Sequence, residues 1–299
     1  MRLDYTIPPV PNHLALRSCK IVGLVLFLWI LGHIGWQDVF RELRNVEGDM
    51  LLLSCIPLIL QYVIRALRWH LIVRTAGLQP TFRESWKLFN IGAFLAMITP
   101  AKIGELGRAV DLHRQGLNGP TAFALSLIDR IADIIVIAVL ATLGIRTLFG
   151  TTAMFTVIAI GVALLVTTVL LWKATRKHRE GVRWLRELSD LTTGRMVLLL
   201  LATTTVGWMC YFWWGIILTR SLGIVIAPFT LIAVLTVTGI VAILPIAPSG
   251  LGTRDMALIT LLAPHGIAAP RAVALASLML VTQTLFGTLG AWYWLKTRK

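Results

Sequence analysis

Two short segments place arginine beside proline and glycine inside otherwise apolar sequence. The first runs from Thr99 to Arg108 and the second from Leu244 to Asp255. A helix that breaks and restarts within a membrane presents free backbone N–H groups and the positive end of its dipole, and both attract anions. An arginine about one turn into the restarted helix can add a bidentate grip on phosphate. We therefore predict a substrate-binding site for a phosphate group, whose candidate residues at the two breaks are Lys102, Gly104, Glu105, Arg108, Gly250, Gly252, Thr253, Arg254 and Asp255.

A third charged group, Asp129, Arg130 and Asp133, lies in the apolar stretch 121–145. The two aspartates are four residues apart and share one helix face, and Asp133 lies about 18 Å from the start of the stretch. Charges at such depth are costly unless they are paired or hydrated. The group either forms a site wall, a proton-coupling acid or a counter-charge for a cationic headgroup, or it is a structural lock between Arg130 and Asp133 that also engages the arginines of the breaks.

Arg68 is a further candidate binding residue, because it clusters with Arg65, Trp69 and Arg74 at the predicted cytoplasmic end of an apolar segment. Such a basic and aromatic cluster can gather anionic headgroups. Alternatively, these arginines only set the orientation of the chain in the membrane. The arginines of the two breaks have a similar alternative, in which they pair structurally with neighbouring carboxylates.

Motifs for catalysis are missing from the sequence. The six histidines are scattered, and none forms an H-x-x-x-H pair or an obvious partnership with serine or cysteine. The sequence also lacks GxSxG, Walker A and dinucleotide-binding patterns. We therefore expect a transporter rather than an enzyme, without a metal or other cofactor.

The composition decides what kind of protein must position these residues. Of 299 residues, 57% are hydrophobic and 14% are charged, whereas soluble domains carry about 25% charged residues. Continuous apolar runs also exclude a closed β-barrel, which needs alternation. The net charge of +14 does not indicate a nucleic-acid partner, because most Lys and Arg lie in short loops between apolar runs. The sequence predicts an all-α polytopic membrane protein.

About six segments are long enough to cross the membrane. They are 20–36, 50–67, 121–145, 151–172, 197–218 and 271–295. Two further apolar stretches, Phe82–Thr99 and Phe229–Ile246, run into the breaks, and we predict that each enters the membrane and returns as a re-entrant hairpin. This arrangement places most Lys and Arg, together with both termini, on the cytoplasmic side, as the positive-inside rule requires.

The two breaks belong to a predicted internal repeat. A shift of 146 positions aligns Arg74 with Arg220, Gly77 with Gly223, Gly104 with Gly250, and Arg108 with Arg254. An odd number of spans separates the copies, so the second copy is inverted, an arrangement typical of transporters. We predict a single integral domain, 1–299, with a cytoplasmic leader at 1–19, a first repeat with its hairpin at 65–118, a basic cytoplasmic amphipathic segment at 173–196, and an inverted second repeat with its hairpin at 211–266.

Two other features suggest ordinary membrane roles. The aromatic cluster of Trp208, Tyr211, Trp213 and Trp214 is typical of an interfacial belt. Gln283, in the last span, is more typical of a residue that binds neighbouring helices together than of a ligand-binding residue.

Over nearly its whole length, the sequence resembles the lysylphosphatidylglycerol synthase transmembrane region, a family of flippase-like domains. The resemblance rests on four motifs: Arg65-x-x-Arg68-Trp69, Thr99-Pro100-x-x-x-Gly104-Glu105-x-x-Arg108, Asp129-Arg130-x-x-Asp133 and Pro248-x-Gly250-x-Gly252-Thr253-Arg254-Asp255. It implies movement of aminoacylated phospholipids or other lipid-linked molecules between leaflets. The aminoacyl-transferase domain that some members carry is missing here, so the resemblance does not imply lipid synthesis. The last motif more often ends in Glu, which puts the reach of the Asp255 carboxylate in question.

The predicted function is that of a lipid translocase in the bacterial inner membrane, which moves a phosphate-bearing lipid, including aminoacylated or glycosylated forms, through a polar site at the midplane. The expected partners are membrane lipids: anionic or aminoacylated phospholipids or polyprenyl-linked lipids. A second copy of the chain in a homodimer and a separate lipid-synthesising enzyme are further candidates. Two alternatives stay open, a secondary transporter of a soluble anion and a membrane-embedded lipid-modifying enzyme.

Overall fold

A computed structural model describes residues 25–174, 193–242 and 250–298, and every regular element in these ranges is helical. This confirms the predicted all-α membrane class. The α-helices are α1 (Val25–Ile34), α2 (Trp36–Arg44), α3 (Gly48–Thr75), α4 (Phe82–Ile98), α5 (Arg108–Arg114), α6 (Gly119–Ala174), α7 (Gly194–Ser221), α8 (Pro228–Val241), α9 (Thr253–Leu262) and α10 (Ala269–Arg298). Short 3-10 helices occupy Pro100–Gly107 and Ala263–His265.

Three of these helices, α3, α7 and α10, are each long and apolar enough to cross a membrane. They contain the predicted spans 50–67, 197–218 and 271–295. Helix α6 contains the predicted spans 121–145 and 151–172, and its backbone is interrupted between them at Gly150, where φ is 85° and ψ is 178°. The total of six spans stays a prediction, as does the division into domains. The leader at 1–19, residues 175–192 of the basic segment and residues 244–249 of the second break lie outside the described ranges.

The two predicted hairpins begin with helices that are short for a membrane crossing. Helix α4 has 17 residues and α8 has 14, which correspond to lengths of about 26 Å and 21 Å, against a hydrocarbon core of about 30 Å. The start of α4 is fixed by a capping box, in which the Glu84 backbone N–H donates to Thr81 Oγ1 at 3.3 Å and the Thr81 N–H donates to Glu84 Oε2 at 2.7 Å. The re-entrant path of the two hairpins stays a prediction.

The first break differs from the open interruption expected from its sequence. Pro100–Gly107 forms a 3-10 helix that leads directly into α5, and the Gly104 backbone N–H donates to Thr99 Oγ1 at 2.8 Å. The backbone N–H of Arg108 is also bonded, to carbonyl groups within the 3-10 helix. The expected free donors at this helix start are therefore already used within the chain.

The helices pack in pairs: α3 against α7, α4 against α10, and α6 against α8. One apolar core joins α7, α8, α9 and α10, and a second joins α3, α4, α5 and α6. Helices α3 and α7 both have 28 residues, and their bounds differ by 146 positions. Helices α4 and α8 begin 146 positions apart as well.

The contact between α4 and α10 leaves no room for a side chain at Gly290. A Cβ atom there would overlap the backbone of Asn90. We predict that Gly290→Ala lowers the free energy of unfolding by about 1–3 kcal/mol, the usual cost of overpacking. Thermal unfolding of the detergent-solubilised protein, followed by tryptophan fluorescence, measures the change.

The matched control is Gly161→Ala in α6, where a Cβ would meet nothing within 4 Å. Alanine has the higher helix propensity, so this variant should be neutral or slightly more stable. Equal melting temperatures for the two variants would show that the close α4–α10 contact does not form.

Candidate functional site

Arg68 stands at the centre of a buried ion network between α3 and α6. Its side chain is 1% exposed and pairs through Nε with Asp129 Oδ1 at 2.8 Å and through Nη1 with Asp133 Oδ1 at 2.8 Å. Nη1 also donates to Thr204 Oγ1 at 2.5 Å. The i,i+4 spacing of the two aspartates places both carboxylates on the face of α6 that meets α3. One guanidinium therefore joins α3, α6 and α7.

Asp133 accepts from a second arginine as well. Arg65 Nη2 donates to Asp133 Oδ2 at 2.8 Å, and Arg65 lies one turn before Arg68 on α3. The structure thus corrects the partners of the predicted lock: Arg130 pairs with Glu105 of the 3-10 helix rather than with Asp133. The reason is geometric, because Asp133 faces the arginines of α3.

Arg108 is the most tightly enclosed of the predicted anion ligands. Its Nη2 donates to Glu105 Oε2 at 2.9 Å and to Asp129 Oδ2 at 3.0 Å. The guanidinium carbon lies 4.2 Å from the Trp69 ring centroid, a cation–π distance. Gly92 makes room for this side chain, since a Cβ there would lie 2.9 Å from Arg108 Cγ. These contacts match the structural alternative for Arg108.

Beside the network lies a cavity of about 210 Å³ between α3, α4, α6, α7 and α8. Its lining includes five cationic side chains and two carboxylates: Arg65, Arg68, Lys102, Arg130, Arg254, Glu105 and Asp133. Arg108 is not among the described residues that line it. The lining therefore carries an excess of three positive charges.

Arg254, which belongs to the second break, also lines this cavity. Its side chain is buried, and Nη2 donates to the Ala276 carbonyl at 2.8 Å. Within the described residues its Nε has no hydrogen-bond partner. A buried N–H without a partner is costly, so Arg254 has a donor left for a ligand in the cavity.

Lys102 is the other distinctive cation of the lining. Its φ of 55° makes it the one residue other than glycine with a positive φ in the described ranges. Strained backbone of this kind costs about 1–3 kcal/mol and is concentrated at functional sites. We find no hydrogen bond or ion pair of Lys102 with any residue that the structure describes.

Asp255 occupies the start of the second restarted helix. Its Oδ2 accepts the Gly252 backbone N–H at 2.8 Å, and Thr253 Oγ1 donates to the Gly250 carbonyl at 3.2 Å. Gly250 and Gly252 have positive φ values of 70° and 78°, a conformation that glycine adopts without strain. Because a carboxylate already balances the helix dipole here, attraction for an anion depends on Arg254 rather than on the backbone.

Several residues for which the sequence suggested other roles also line the cavity. Trp208, Tyr211 and Gln283 line it, together with Thr204. Trp208 and Tyr211 were predicted to form an interfacial belt, and Gln283 to bind helices together. A signal existed in the repeat, because a shift of 146 positions places Tyr211 on Arg65.

Comparisons with known proteins agree with the membrane character of the site. Residues 18–291 match the family described as the lysylphosphatidylglycerol synthase TM region. A UPF0104 membrane protein of Methanocaldococcus jannaschii is 28% identical over 116 residues, which are 38% of this chain and 34% of that protein. A UPF0104 membrane protein of Pyrococcus horikoshii is 24% identical over 159 residues, which are 52% of this chain and 48% of that protein. The matched parts thus span half or less of each relative.

The ion network predicts that removing the Arg68 side chain strongly destabilises the protein. In Arg68→Met, Asp129 loses one of its two arginines and Asp133 keeps only Arg65, so we expect the free energy of unfolding to fall by about 3–5 kcal/mol. Adding Asp133→Asn should recover part of that loss, because the carboxylate that had lost its partner becomes neutral. Thermal unfolding in detergent checks both variants.

The control is Arg271→Gln, which removes a half-exposed pair with Glu42 at 3.0 Å. Its cost should stay below about 1 kcal/mol. Strictly additive effects of Arg68→Met and Asp133→Asn would contradict the network, because partners in one ion cluster must couple.

Proposed function

Because the chain belongs to the lysylphosphatidylglycerol synthase transmembrane-region family, whose name implies a function related to membrane lipids, we propose that it is a lipid translocase. In this proposal, a phosphate-bearing headgroup passes through the cavity while the acyl chains stay in the bilayer. The observation that carries the proposal is the excess of three positive charges on the lining of a cavity among apolar helices. Charges inside a membrane mark substrate paths by default.

The surroundings of the cavity suit a lipid better than a soluble solute. Ile134 belongs to the lining and is 53% exposed, so the rim on α6 is apolar and accessible. Neighbouring residues of α6 and of α3 present further exposed apolar side chains, among them Ile135 and Val139. An apolar rim lets acyl chains remain in lipid while a headgroup enters. A transporter of a soluble anion would instead need a cavity closed to the bilayer.

The repeat gives the proposal a mechanism. In the proposed repeat, α3 corresponds to α7, α4 to α8, and the first part of α6 to α10. The contact of α4 with α10 is then equivalent to the contact of α8 with α6, and α3 packs on its own counterpart, α7. We propose that these halves are inverted copies and that rocking of one against the other exposes the cavity to each leaflet in turn. The bounds of α3 and α7, 146 positions apart, support this proposal.

The residues divide into two roles. Arg254, Lys102 and Arg130 are proposed to contact the phosphate, since all three line the cavity. Arg254 Nε and Arg130 Nε have no hydrogen-bond partner among the described residues, and Lys102 makes no hydrogen bond or ion pair there. Arg68 and Arg108 are positioning residues, because their guanidinium groups are held by carboxylates. We propose that the protein is a transporter rather than an enzyme and assign no chemical step to these residues. We further propose an inner-membrane location with both termini cytoplasmic, and a homodimer or a lipid-synthesising enzyme as partners.

Leaflet exchange of fluorescent phosphatidylglycerol in proteoliposomes tests the proposal. We predict protein-dependent exchange that falls about tenfold in Arg254→Gln, because one charge-assisted hydrogen bond contributes about 1.5–3 kcal/mol. Lys102→Asn should have a similar effect, since Asn tolerates the left-handed backbone while the charge is lost. The double variant should approach the rate of empty vesicles.

The control is Arg41→Gln, which removes a cation with a 74% exposed side chain far from the cavity lining. It should keep the native rate. Uptake of a soluble anion by the native protein, without lipid exchange, would support the alternative transporter. Exchange that is unchanged in the double variant would exclude the cavity as the route. Arg108 is a poor probe, because its removal takes one arginine partner from Glu105 and one from Asp129 and threatens the fold.

A further inference from the structure

We infer that the cavity selects lipids whose headgroup carries net negative charge and rejects those with a free ammonium group, such as an aminoacylated headgroup. This inference rests on the proposed translocase function and specifies its substrate. It is opposite to what the name of the matched family would suggest. The charges of the lining and the partners of its carboxylates carry the argument.

Among the residues that the structure describes, the cations of the lining outnumber the carboxylates that could neutralise them. Five cationic side chains and two carboxylates face the cavity. Including the enclosed Arg108 and its acceptor Asp129 leaves the excess at three. Including Asp255, which sits beside Arg254, lowers it only to two. Away from water, unbalanced charges of one sign are strongly unfavourable, so the cavity needs an anion to complete it.

Both carboxylates of the lining are already paired with arginines. Asp133 uses Oδ1 for Arg68 at 2.8 Å and Oδ2 for Arg65 at 2.8 Å. Glu105 Oε2 pairs with both Arg108 and Arg130. At Asp133, a lysyl or alanyl headgroup would have to displace an arginine and leave it without that partner. At Glu105, it would meet a carboxylate whose charge two arginines already balance.

The free donors in the cavity are those that an anion uses. Arg254 Nε and Arg130 Nε are buried without a hydrogen-bond partner among the residues described. Lys102 makes no hydrogen bond or ion pair within the same residues, and all three side chains line the cavity. An arginine and a lysine on two separate breaks can contact different oxygens of one phosphate group. Their separation along the chain also means that the site is complete only when both halves of the protein contribute.

Aromatic side chains of the lining do not change this conclusion. Trp208 and Tyr211 lie edge to face at 5.3 Å between ring centroids, and Tyr62 and Phe89 do so at 6.1 Å. Aromatic rings can attract an ammonium group. That attraction is weaker than repulsion by several unbalanced cations in the same small cavity. The rings instead offer a surface against which glycerol or sugar carbons can pack.

The experiment compares two fluorescent lipids with identical acyl chains, phosphatidylglycerol and lysyl-phosphatidylglycerol, in the same proteoliposomes. We expect phosphatidylglycerol to exchange between leaflets at least tenfold faster. Arg254→Glu should narrow or reverse this ratio, because it changes the balance of the lining by two charges. Arg41→Gln should leave the ratio unchanged. Lysyl-phosphatidylglycerol that exchanges as fast as phosphatidylglycerol would overturn the inference while leaving translocation intact.

A binding measurement separates this inference from the proposed function. Short-chain phosphatidylglycerol, short-chain lysyl-phosphatidylglycerol and glycerol 3-phosphate are added to the detergent-solubilised protein, and the shift in melting temperature is recorded. If phosphatidylglycerol alone stabilises the native protein and loses its effect in Arg254→Gln, anion selectivity holds even without measurable exchange. Equal stabilisation by glycerol 3-phosphate together with its uptake into vesicles would assign the site to a soluble anion and overturn lipid selection. Stabilisation by the lysyl lipid alone would overturn anion selectivity.

Discussion

The salt bridges of Arg68 with Asp129 and Asp133 are the interaction on which the rest of the site depends. Burying ions costs several kcal/mol each unless good geometry and further hydrogen bonds compensate. Here the compensation is shared, since Asp129 also accepts from Arg108 and Asp133 from Arg65. Each arginine comes from an element that must stay in register with α6. The network therefore fixes how α3, the 3-10 helix and α5 meet α6, and the cavity lies beside it.

Pairing within this network separates two kinds of buried cation. Arg68 and Arg108 are paired with carboxylates and shape the site, whereas Arg254 and Lys102 line the cavity without an ion pair to any carboxylate that the structure describes. Removing a residue of the first kind lowers the free energy of unfolding by several kcal/mol. Residues of the second kind raise the energy of the empty cavity and would be stabilised by a bound anion. A transporter can exploit this difference, because only the second kind needs to change partners.

Charge is divided unequally between the two halves of the chain. At an offset of 146 positions, Arg65 corresponds to Tyr211 and Arg68 to Trp214, so positions that carry arginine in the first half carry aromatic residues in the second. Arg254 is the contribution of the second half to the cationic lining. The proposed repeat thus places chemically different side chains at equivalent positions, which suits a headgroup that is charged at one end and carbon-rich at the other.

The sequence alone determined the membrane class, the family and the charged residues that meet, because apolar run length, charged residues at depth and spaced motifs are local signals. The sequence also predicted the first residues of α4 and α8 to within one position, since helix capping and proline are local signals. Only the tertiary structure decided which charges pair, because it joins Asp133 to Arg65 rather than to Arg130. It also decided that Arg108 does not line the cavity. Trp208 and Gln283 entered the site for the same reason. Ion partners and cavity walls depend on how helices rotate against one another, and helical periodicity does not fix that rotation when charged and apolar residues surround the whole helix.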